Sequence, residues 1–381
     1  MIRLLSLFLA ASAAPVLPTG EGVGPSDETG YWLYAAAESA DEVYMIRFDG
    51  RDAEVVQRVE VGYQATEIEG PHGLTVSPDG RHWFLSMAHG NPYGILYKYS
   101  TGDNRLVGQC ELGLFPATME ISPATGLLYV VNFDLHGDMT PSSVSIVDPD
   151  EVVEVAQTTT GAMPHGSRVS PDGLKHYSCA MMSDELYELD AATFEVERVL
   201  KLLPEGVEDA AHGHGDKEPD DEDEEGQAED VEHGHGLAKP TWVHPHPTLA
   251  RAYVCLNALD QVAIVDLDAW EVIDRLPTGV GPYNTVVTPD GKRLIVTYKG
   301  TGAVGIWDLE TGRERARIPT SRRVTHGVVV SPDSRYAFVT NEGKGSEQGT
   351  LDVFDLATDR KIETLELGLQ MGGLAFWRQV P

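Results

Sequence analysis

A short segment that recurs along the chain constrains the fold more than any other feature of the sequence. It reads PHGLTVSPDG at 71–80 and returns as PHGSRVSPDG at 164–173 and THGVVVSPD at 325–333. Weaker copies lie at 115–123 and 281–291. Each copy is a short run of mainly β-branched and small residues that ends in a turn, and a second strand pattern follows. Hairpins that return regularly predict a repeat fold.

The spacing of the copies predicts a β-propeller. The proline that closes each copy falls at Pro78, Pro123, Pro171, Pro247, Pro289 and Pro332. Successive intervals are 45, 48, 76, 42 and 43 residues, and the long interval contains a charged insert. A period in the forties with four short strands is typical of propeller blades. First strands begin near residues 72, 117, 165, 241, 283, 326 and 371, which predicts an all-β fold of seven blades.

The N-terminal and C-terminal segments are predicted to form one blade together. The sequence ends just after the seventh first strand, at 371–376, and residues 31–37 and 43–48 have the pattern of second and third strands. Pairing the terminal strands closes the ring and leaves no free sheet edge. We therefore predict one seven-bladed propeller over residues 29–381, closed by N- and C-terminal strands that share one blade.

The first residues and the net charge predict where the protein works. Residues 1–20 are interpreted as a signal peptide and short leader, because one basic residue precedes an apolar run and an Ala-Ser-Ala site. We expect a periplasmic or extracellular protein without a lipid anchor or membrane span. The formal net charge of −32 argues against nucleic acid and anionic lipid as partners.

The repeats resemble the YVTN-type seven-bladed propellers. The Ser-Pro-Asp-Gly turns, YVVN at 129–132 and VSIVD at 144–148 carry the resemblance, which extends over about residues 30–381. The resemblance implies the propeller fold. Because propellers carry many unrelated activities, it implies no particular function.

Blade geometry brings histidines to one end of the predicted ring. The start of each first strand and the loop after each second strand open on the face that holds the channel mouth. The residues predicted there are His72, His89, His136, His165 and His326, with Tyr283 and Met371 at equivalent first-strand positions. Several imidazoles near a thioether favour a transition metal, copper first and zinc or another divalent metal as the alternative. Alternatively, each His-Gly pair is structural, and the imidazole binds the backbone.

The histidine-rich rim is similar to that of two copper-using propeller groups, nitrous oxide reductase and the selenium-binding (methanethiol oxidase) proteins. The resemblance implies metal binding or delivery, or a metal-dependent oxidase. The sequence shows no cysteine-rich copper motif of a cupredoxin-like domain, which argues against nitrous oxide reduction, and no Cys-x-x-Cys-His motif for c-type haem. The odd count of three cysteines argues against a disulfide framework, and Cys179 and Cys255 are predicted to be small core residues.

An acidic, histidine-rich insert interrupts the repeats at residues 204–239. Between 205 and 235 it holds 14 acidic residues and one lysine, and its paired histidines are His212, His214, His233 and His235. This composition cannot pack a core and predicts a disordered loop on the mouth face. We interpret it as a metal-capture loop that raises the local metal concentration. A solvated charged loop is the alternative.

Two other functions remain open at this point. A non-enzymatic scaffold would bind a protein or peptide on the mouth face, and its histidines would be structural. A lactonase-like hydrolase would need a carboxylate-bound metal or a His/Arg/Glu cluster in the channel. No hydrolytic nucleophile motif occurs. The candidate general acids or bases near the rim include Asp134, Asp138, Glu185 and Glu342. His244 and His246 are predicted to be structural, with a second channel site as the alternative. His82 and His176 are predicted to lie on the surface of the opposite face.

Overall fold

The computed structural model describes residues 30–64, 66–89, 94–137, 139–204 and 236–381. They form seven four-stranded antiparallel sheets around a central channel, a seven-bladed β-propeller, which confirms the predicted fold. The predicted signal segment and the four histidines of the insert lie outside the described residues. Within the described ranges, no helix is long and apolar enough to cross a membrane.

The N- and C-terminal strands share one blade, as the sequence predicts. This closing blade, blade 7, consists of β1 (Gly30–Ala37), β2 (Glu42–Phe48), β3 (Ala53–Glu60) and β28 (Met371–Val380). The C-terminal strand β28 is innermost and pairs antiparallel with β1 over its whole length. The pairing satisfies both edges and closes the ring.

Blades 1 to 3 follow in chain order, each a meander that runs from the channel outwards. Blade 1 contains β4 (Pro71–Val76), β5 (His82–Met87), β6 (Ile95–Ser100) and β7 (Leu106–Glu111). Blade 2 contains β8 (Pro116–Ile121), β9 (Leu128–Asn132), β10 (Pro141–Asp148) and β11 (Val153–Ala162). Blade 3 contains β12 (Pro164–Val169), β13 (Lys175–Ala180), β14 (Glu185–Asp190) and β15 (Val196–Lys201).

Blades 4 to 6 repeat the same meander and complete the ring. Blade 4 contains β16 (Pro240–Pro245), β17 (Arg251–Leu256), β18 (Gln261–Asp266) and β19 (Glu271–Pro277). Blade 5 contains β20 (Pro282–Val287), β21 (Arg293–Tyr298), β22 (Ala303–Asp308) and β23 (Arg313–Pro319). Blade 6 contains β24 (Val324–Val330), β25 (Tyr336–Glu342), β26 (Thr350–Asp355) and β27 (Arg360–Glu366). Short 3₁₀ turns cover Glu38–Ala40 and Asn257–Leu259.

The hydrophobic core lies between neighbouring blades, because successive residues of each strand alternate between two apolar seams. Between blades 7 and 1, Tyr34 stacks on Trp83 with ring centroids 5.1 Å apart. Cys179 and Cys255 are fully buried free thiols, which confirms their prediction as core residues. His176 corrects another prediction: it is fully buried and stacks on Tyr129 (4.9 Å), because it faces the seam with blade 2.

A β-bulge at the start of the innermost strands directs the histidine of each His-Gly pair. In blade 1 the strand register shifts between Pro71 and Leu74, so His72 and Gly73 lie outside the ladder. The equivalent shifts in blades 3 and 6 free the other two His-Gly pairs. A bulge re-aims a side chain in this way. A Cβ at Gly73 would overlap the carbonyl oxygen of Ala117, so the glycine permits close approach of the next blade.

Hydroxyl side chains tie five of the seven bulges, those of blades 2, 3, 5, 6 and 7, to the preceding blade. Five such bonds run from Ser86 to Ala117 O (3.0 Å), Thr118 to His165 O (2.6 Å), Thr241 to Tyr283 O (2.7 Å), Thr297 to His326 O (3.3 Å) and Thr340 to Gly372 O (2.7 Å). They satisfy carbonyl groups that the bulges leave out of the ladders. The backbone that carries the rim side chains is therefore fixed from a second blade.

Candidate functional site

Three of the predicted rim histidines meet at the channel mouth. The ring centroid of His72 lies 6.0 Å from that of His165 and 5.8 Å from that of His326. The residues are only 7%, 2% and 6% exposed, respectively. They come from blades 1, 3 and 6, so the ring closure and the three bulges together assemble the cluster.

Tyr283 of blade 5 links two of these imidazoles. Its hydroxyl oxygen lies 2.9 Å from Nε2 of His165 and 3.3 Å from Nε2 of His326. His165 Nδ1 faces the carbonyl oxygen of Thr241 at 3.3 Å, so Nδ1 carries the proton and Nε2 accepts from the phenol. Burial raises the pKa of Tyr283 to about 12, which keeps the phenol neutral.

Burial keeps the imidazoles of His165 and His326 neutral. It lowers the pKa of His165 to about 3, with a further contribution from the charge of His72. Burial and then Lys299 lower the pKa of His326 well below its ordinary value. Nδ1 of His326 is buried and has no hydrogen-bond partner among the described residues. Neutral imidazole is the form that binds a metal.

Glu38 is a site residue that the sequence analysis missed. It opens the 3₁₀ turn after β1 and is 6% exposed. Its carboxylate faces Nδ1 of His72 at 3.1 Å and Nε2 of His89 at 3.0 Å. Burial alone would raise the pKa of Glu38, but His72, His89 and the nearby His326 hold it well below its usual range. The carboxylate is thus a charged partner for two rim imidazoles.

Lys299 and Glu342 form a second charged pair beside the cluster. Lys299 Nζ lies 3.1 Å from Glu342 Oε1 and 4.3 Å from the ring centroid of Tyr283. Glu342 Oε1 is also 3.7 Å from Nε2 of His326. Burial opposes the charge of Lys299, but Tyr283 and Glu342 outweigh it and raise its pKa. The cluster therefore has a fixed cation on one side and Glu38 on another.

A shared position explains how these charged residues reach the rim. Glu38, His89, Lys299 and Glu342 all lie at or just after the end of a second strand of a blade. At this position only the histidines were predicted from the sequence to be site residues. Reading the same register in all seven blades would have found Glu38 and Lys299.

The other predicted rim residues are placed differently from the three central histidines. His89 and His136 are exposed, with ring centroids 6.2 Å apart, and Phe115 separates them from His72. Met371 is fully buried in the apolar seam between blades 6 and 7, against Gly349. The expectation that its thioether completes the rim is therefore corrected: the side chain packs in the core.

The spacing of the imidazoles determines whether they fit a metal. No group of three or more His, Cys, Asp or Glu side chains in the described ranges is arranged as a ready metal site. Two imidazoles on one tetrahedral metal have ring centroids about 5 Å apart, given bonds of about 2.0 Å. The observed 5.8 and 6.0 Å exceed that spacing by about 1 Å. The three imidazoles are therefore close to one another but not in coordination geometry, and a bound metal would require them to move closer.

A pocket of about 510 Å³ opens beside the cluster on the mouth face. Tyr283, Lys299, Asn257 and Asp260 contribute its polar lining. Its volume is in the range of pockets that hold small molecules. A ligand there would contact the phenol that joins His165 to His326.

Comparison with known proteins gives the fold and no family. No protein-family model matches the chain, and no curated protein matches it by sequence. Among solved structures, the periplasmic gluconolactonase PpgL of Pseudomonas aeruginosa is 18% identical with a TM-score of 0.68, covering 92% of this chain and 99% of that chain. Likeness at this identity establishes the seven-bladed propeller alone.

Two further solved structures share the architecture. Hydrazine synthase of Kuenenia stuttgartiensis is 18% identical with a TM-score of 0.63, covering 83% of this chain and 92% of that chain. Dihydro-heme d1 dehydrogenase NirN, in complex with DHE, is 13% identical with a TM-score of 0.58, covering 94% and 77%. The three named activities differ, so the function must be argued from the site.

Proposed function

We propose that the protein binds one transition-metal ion at the channel mouth through Nε2 of His72, His165 and His326. The observation that carries the proposal is the orientation of the rings. Glu38 is bound to Nδ1 of His72, and the Thr241 carbonyl is bound to Nδ1 of His165. Nε2 is then the nitrogen of each ring that would bind an ion, and in His165 it now contacts the Tyr283 hydroxyl. Outer partners of this kind are typical of metal-ligating histidines, because they fix the tautomer and the ring.

Copper is the ion we propose, with zinc as the alternative. Imidazole suits both metals, and affinity for nitrogen and oxygen ligands peaks at copper among the divalent first-row metals. Tyr283 adds a phenol oxygen within 3.3 Å of two imidazole nitrogens. When bound, the ion would act as a Lewis acid, and copper would also supply redox chemistry. We propose a role in metal binding or delivery, or as a metal-dependent oxidase.

The outer histidines and the insert complete this proposal. His89 and His136 are exposed at the mouth, where they would offer a transient site for an arriving ion. His212, His214, His233 and His235 would act as the capture loop, and residues 1–20 would export the chain to the periplasm or outside the cell. The exposed histidines and the capture loop would raise the local metal concentration without forming the tight site itself.

Titration of untagged protein with Cu(II) and with Zn(II), after removal of bound metal by a chelator, tests the proposal. We expect one ion that survives gel filtration, measured by elemental analysis. The double variant His72→Ala, His165→Ala should lose that ion. His82→Ala, a histidine on the opposite face, is the matched control and should retain it. A fourfold alanine variant of the insert histidines should retain the tight ion and lose only weaker equivalents.

Full retention of the ion by the folded double variant would exclude the central site. Loss in the fourfold variant alone would place the metal in the insert instead. Circular dichroism on every variant separates loss of ligands from loss of fold.

A lactonase-like hydrolase is a second candidate, favoured by the pocket of about 510 Å³ beside Tyr283. The ammonium of Lys299 lies on its wall, where it would stabilise negative charge that develops on a carbonyl oxygen. A hydrolysis assay with gluconolactone tests this function. Activity that falls in Lys299→Met but survives chelation would favour the hydrolase over the metal protein.

A further inference from the structure

A second pocket lies at the end of the channel opposite the histidine cluster. It has a volume of about 350 Å³ and is lined by innermost strands of blades 2 to 6. Its walls are apolar and stiff: Pro123, Val169, Pro171, Pro245, Pro247, Val286, Val287, Pro289 and Val330. Its polar side chains are mainly Glu120, Arg168 and His244. This pocket therefore differs from the channel mouth both in its location and in the chemistry of its lining.

Arg168 is the residue of this pocket whose hydrogen-bond donors are least used by the protein itself. Its Nη1 donates to the carbonyl oxygen of Ser167 at 2.7 Å, and its guanidinium lies 5.1 Å from the ring centroid of Trp242. Within the part of the chain that the structure describes, Arg168 has no other hydrogen bond and no ion pair. A guanidinium has five N–H donors. The bond to Ser167 uses one of them, so most of the donors remain for a ligand in the pocket that Arg168 lines.

Glu120 does not neutralise this arginine by direct contact. Its Oε2 accepts a hydrogen bond from the backbone N–H of Val169 at 2.6 Å. Burial raises the pKa of Glu120, with Arg168 and the Val169 amide acting against it. Burial also lowers the pKa of Arg168. A charge taken out of water without a contacting counter-charge is costly, so an anion in the pocket would stabilise the fold.

The channel space above Arg168 also contains polar atoms that need partners. A cavity of about 40 Å³ extends from Arg168 to His72 and His326, with room for roughly three water molecules. Trp242 Nε1 and Asn284 Oδ1 line it without hydrogen-bond partners among the described residues. The upper space has room for a few water molecules only, whereas the wider lower pocket of about 350 Å³ has room for an organic molecule.

The lining selects the chemistry of the ligand. One guanidinium next to a carboxyl group favours a single negative charge over the double charge of phosphate. A planar carboxylate matches the fork of Arg168. The proline and valine walls favour a short apolar body. We propose that the lower channel pocket binds a small organic monocarboxylate, with its carboxylate on Arg168 and its apolar body against the proline and valine walls.

Calorimetric titration of metal-free protein with isovalerate tests this proposal, independently of any metal at the mouth. We expect saturable binding of one molecule. Isovaleramide, which has the same shape without charge, should not bind, and inorganic phosphate should bind at least tenfold more weakly. Arg168→Gln should lower the affinity at least tenfold, and Arg168→Lys should lower it less. Arg81→Gln, an exposed arginine on the same face, is the matched control and should leave binding unchanged.

The indole N–H resonance of Trp242 provides a test that does not depend on a folded Arg168 variant. We expect this resonance, assigned with Trp242→Phe, to shift on titration of the wild-type protein with the same midpoint as the calorimetry. No saturable binding, an unmoved resonance, or equal affinity for isovaleramide would overturn the proposal. Phosphate binding as tight as isovalerate would show a general anion site and would overturn the assigned ligand class.

Discussion

The hydroxyl oxygen of Tyr283 lies 2.9 Å from Nε2 of His165, although the two residues are 118 positions apart in the sequence. The same oxygen lies 3.3 Å from Nε2 of His326. A neutral phenol donates one hydrogen bond and accepts another. Tyr283 therefore occupies the point towards which two imidazoles from different blades are directed. Any ion that binds those nitrogens must displace this hydroxyl or recruit it.

Tyr283→Phe tests the coupling between this hydroxyl and the proposed metal. The variant keeps the ring but leaves two imidazole nitrogens without a partner. Without metal we expect its free energy of unfolding to fall by about 1–2 kcal/mol. With saturating Cu(II) the loss should shrink, because the ion takes over both nitrogens. Denaturant unfolding with and without copper measures both values. Tyr253→Phe, buried in blade 4, is the control, and equal losses with and without copper in Tyr283→Phe would contradict the coupling.

Glu38→Gln tests the outer partner of His72. The amide keeps the shape of the side chain but removes the charge that orients His72 and His89. We expect metal affinity to fall about 10- to 100-fold, as for other second-layer partners of histidine ligands. Competition with a chromophoric chelator measures this change. Glu310→Gln, an exposed glutamate, should leave the affinity unaltered. Unaltered affinity in a folded Glu38→Gln protein would exclude His72 as a ligand.

His176→Phe tests how burial of a neutral histidine shapes the pH dependence of stability. Burial, then Arg168, lowers the pKa of His176 to about 3, whereas the unfolded value is about 6.5. The unfolded chain binds the proton first as the pH falls. The contribution is therefore complete above about pH 6.5 and is lost towards pH 3, by up to about 1.4 kcal/mol per pH unit.

Phenylalanine should keep the stacking on Tyr129 and remove this titration. Urea unfolding at about pH 7.5 and about pH 5 measures the slope in both proteins. We expect a flatter profile in the variant. A slope equal to that of the wild type would show that His176 is not the group that titrates.

Trp377→Ala tests the ring closure at the seam between blades 7 and 1. Trp377 packs against Trp32 and Tyr34 at centroid distances of 5.9 and 5.6 Å, and its Nε1 donates to the carbonyl oxygen of Gly80 at 2.9 Å. We expect thermal or urea unfolding to show a loss of about 2–4 kcal/mol. Trp377→Phe keeps most of the packing and should cost about 1 kcal/mol. An alanine variant no less stable than the phenylalanine variant would contradict this account of the closure.

The sequence predicted the parts of the structure that depend on local, repeated signals. Turn prolines, alternating apolar residues and the period predicted seven blades and the pairing of the two terminal strands. The same register predicted that His72, His165 and His326 share one end of the channel. These inferences needed only the order of strands within a blade.

The placement of individual side chains could not be predicted from the sequence when it depends on exact register or on a neighbouring blade. Met371 was predicted at the strand position of His72, but the register places Gly372 there. Met371 pairs with Ala37 as Pro71 pairs with Met87, and its side chain packs in the seam between blades 6 and 7. His176 begins a strand on the opposite face, yet the adjacent blade covers it. Glu38 was missed because a carboxylate after a strand is also typical of a solvated turn. The outcome at Met371 depends on a one-residue difference in register, and the outcomes at His176 and Glu38 depend on the approach of the neighbouring blade, which no local pattern encodes.

Gly73→Ala tests whether the His-Gly pair requires glycine. A Cβ at Gly73 would overlap the carbonyl oxygen of Ala117 and lie 2.9 Å from Oγ of Ser86. Blade 2 would have to move, and His72 would move with the bulge. We expect a loss of about 2–3 kcal/mol in urea unfolding, together with weaker metal retention. Gly102→Ala is the matched control, because a Cβ there meets nothing within 4 Å. Equal stability of the two variants would show that the seam between blades 1 and 2 is looser than this packing requires.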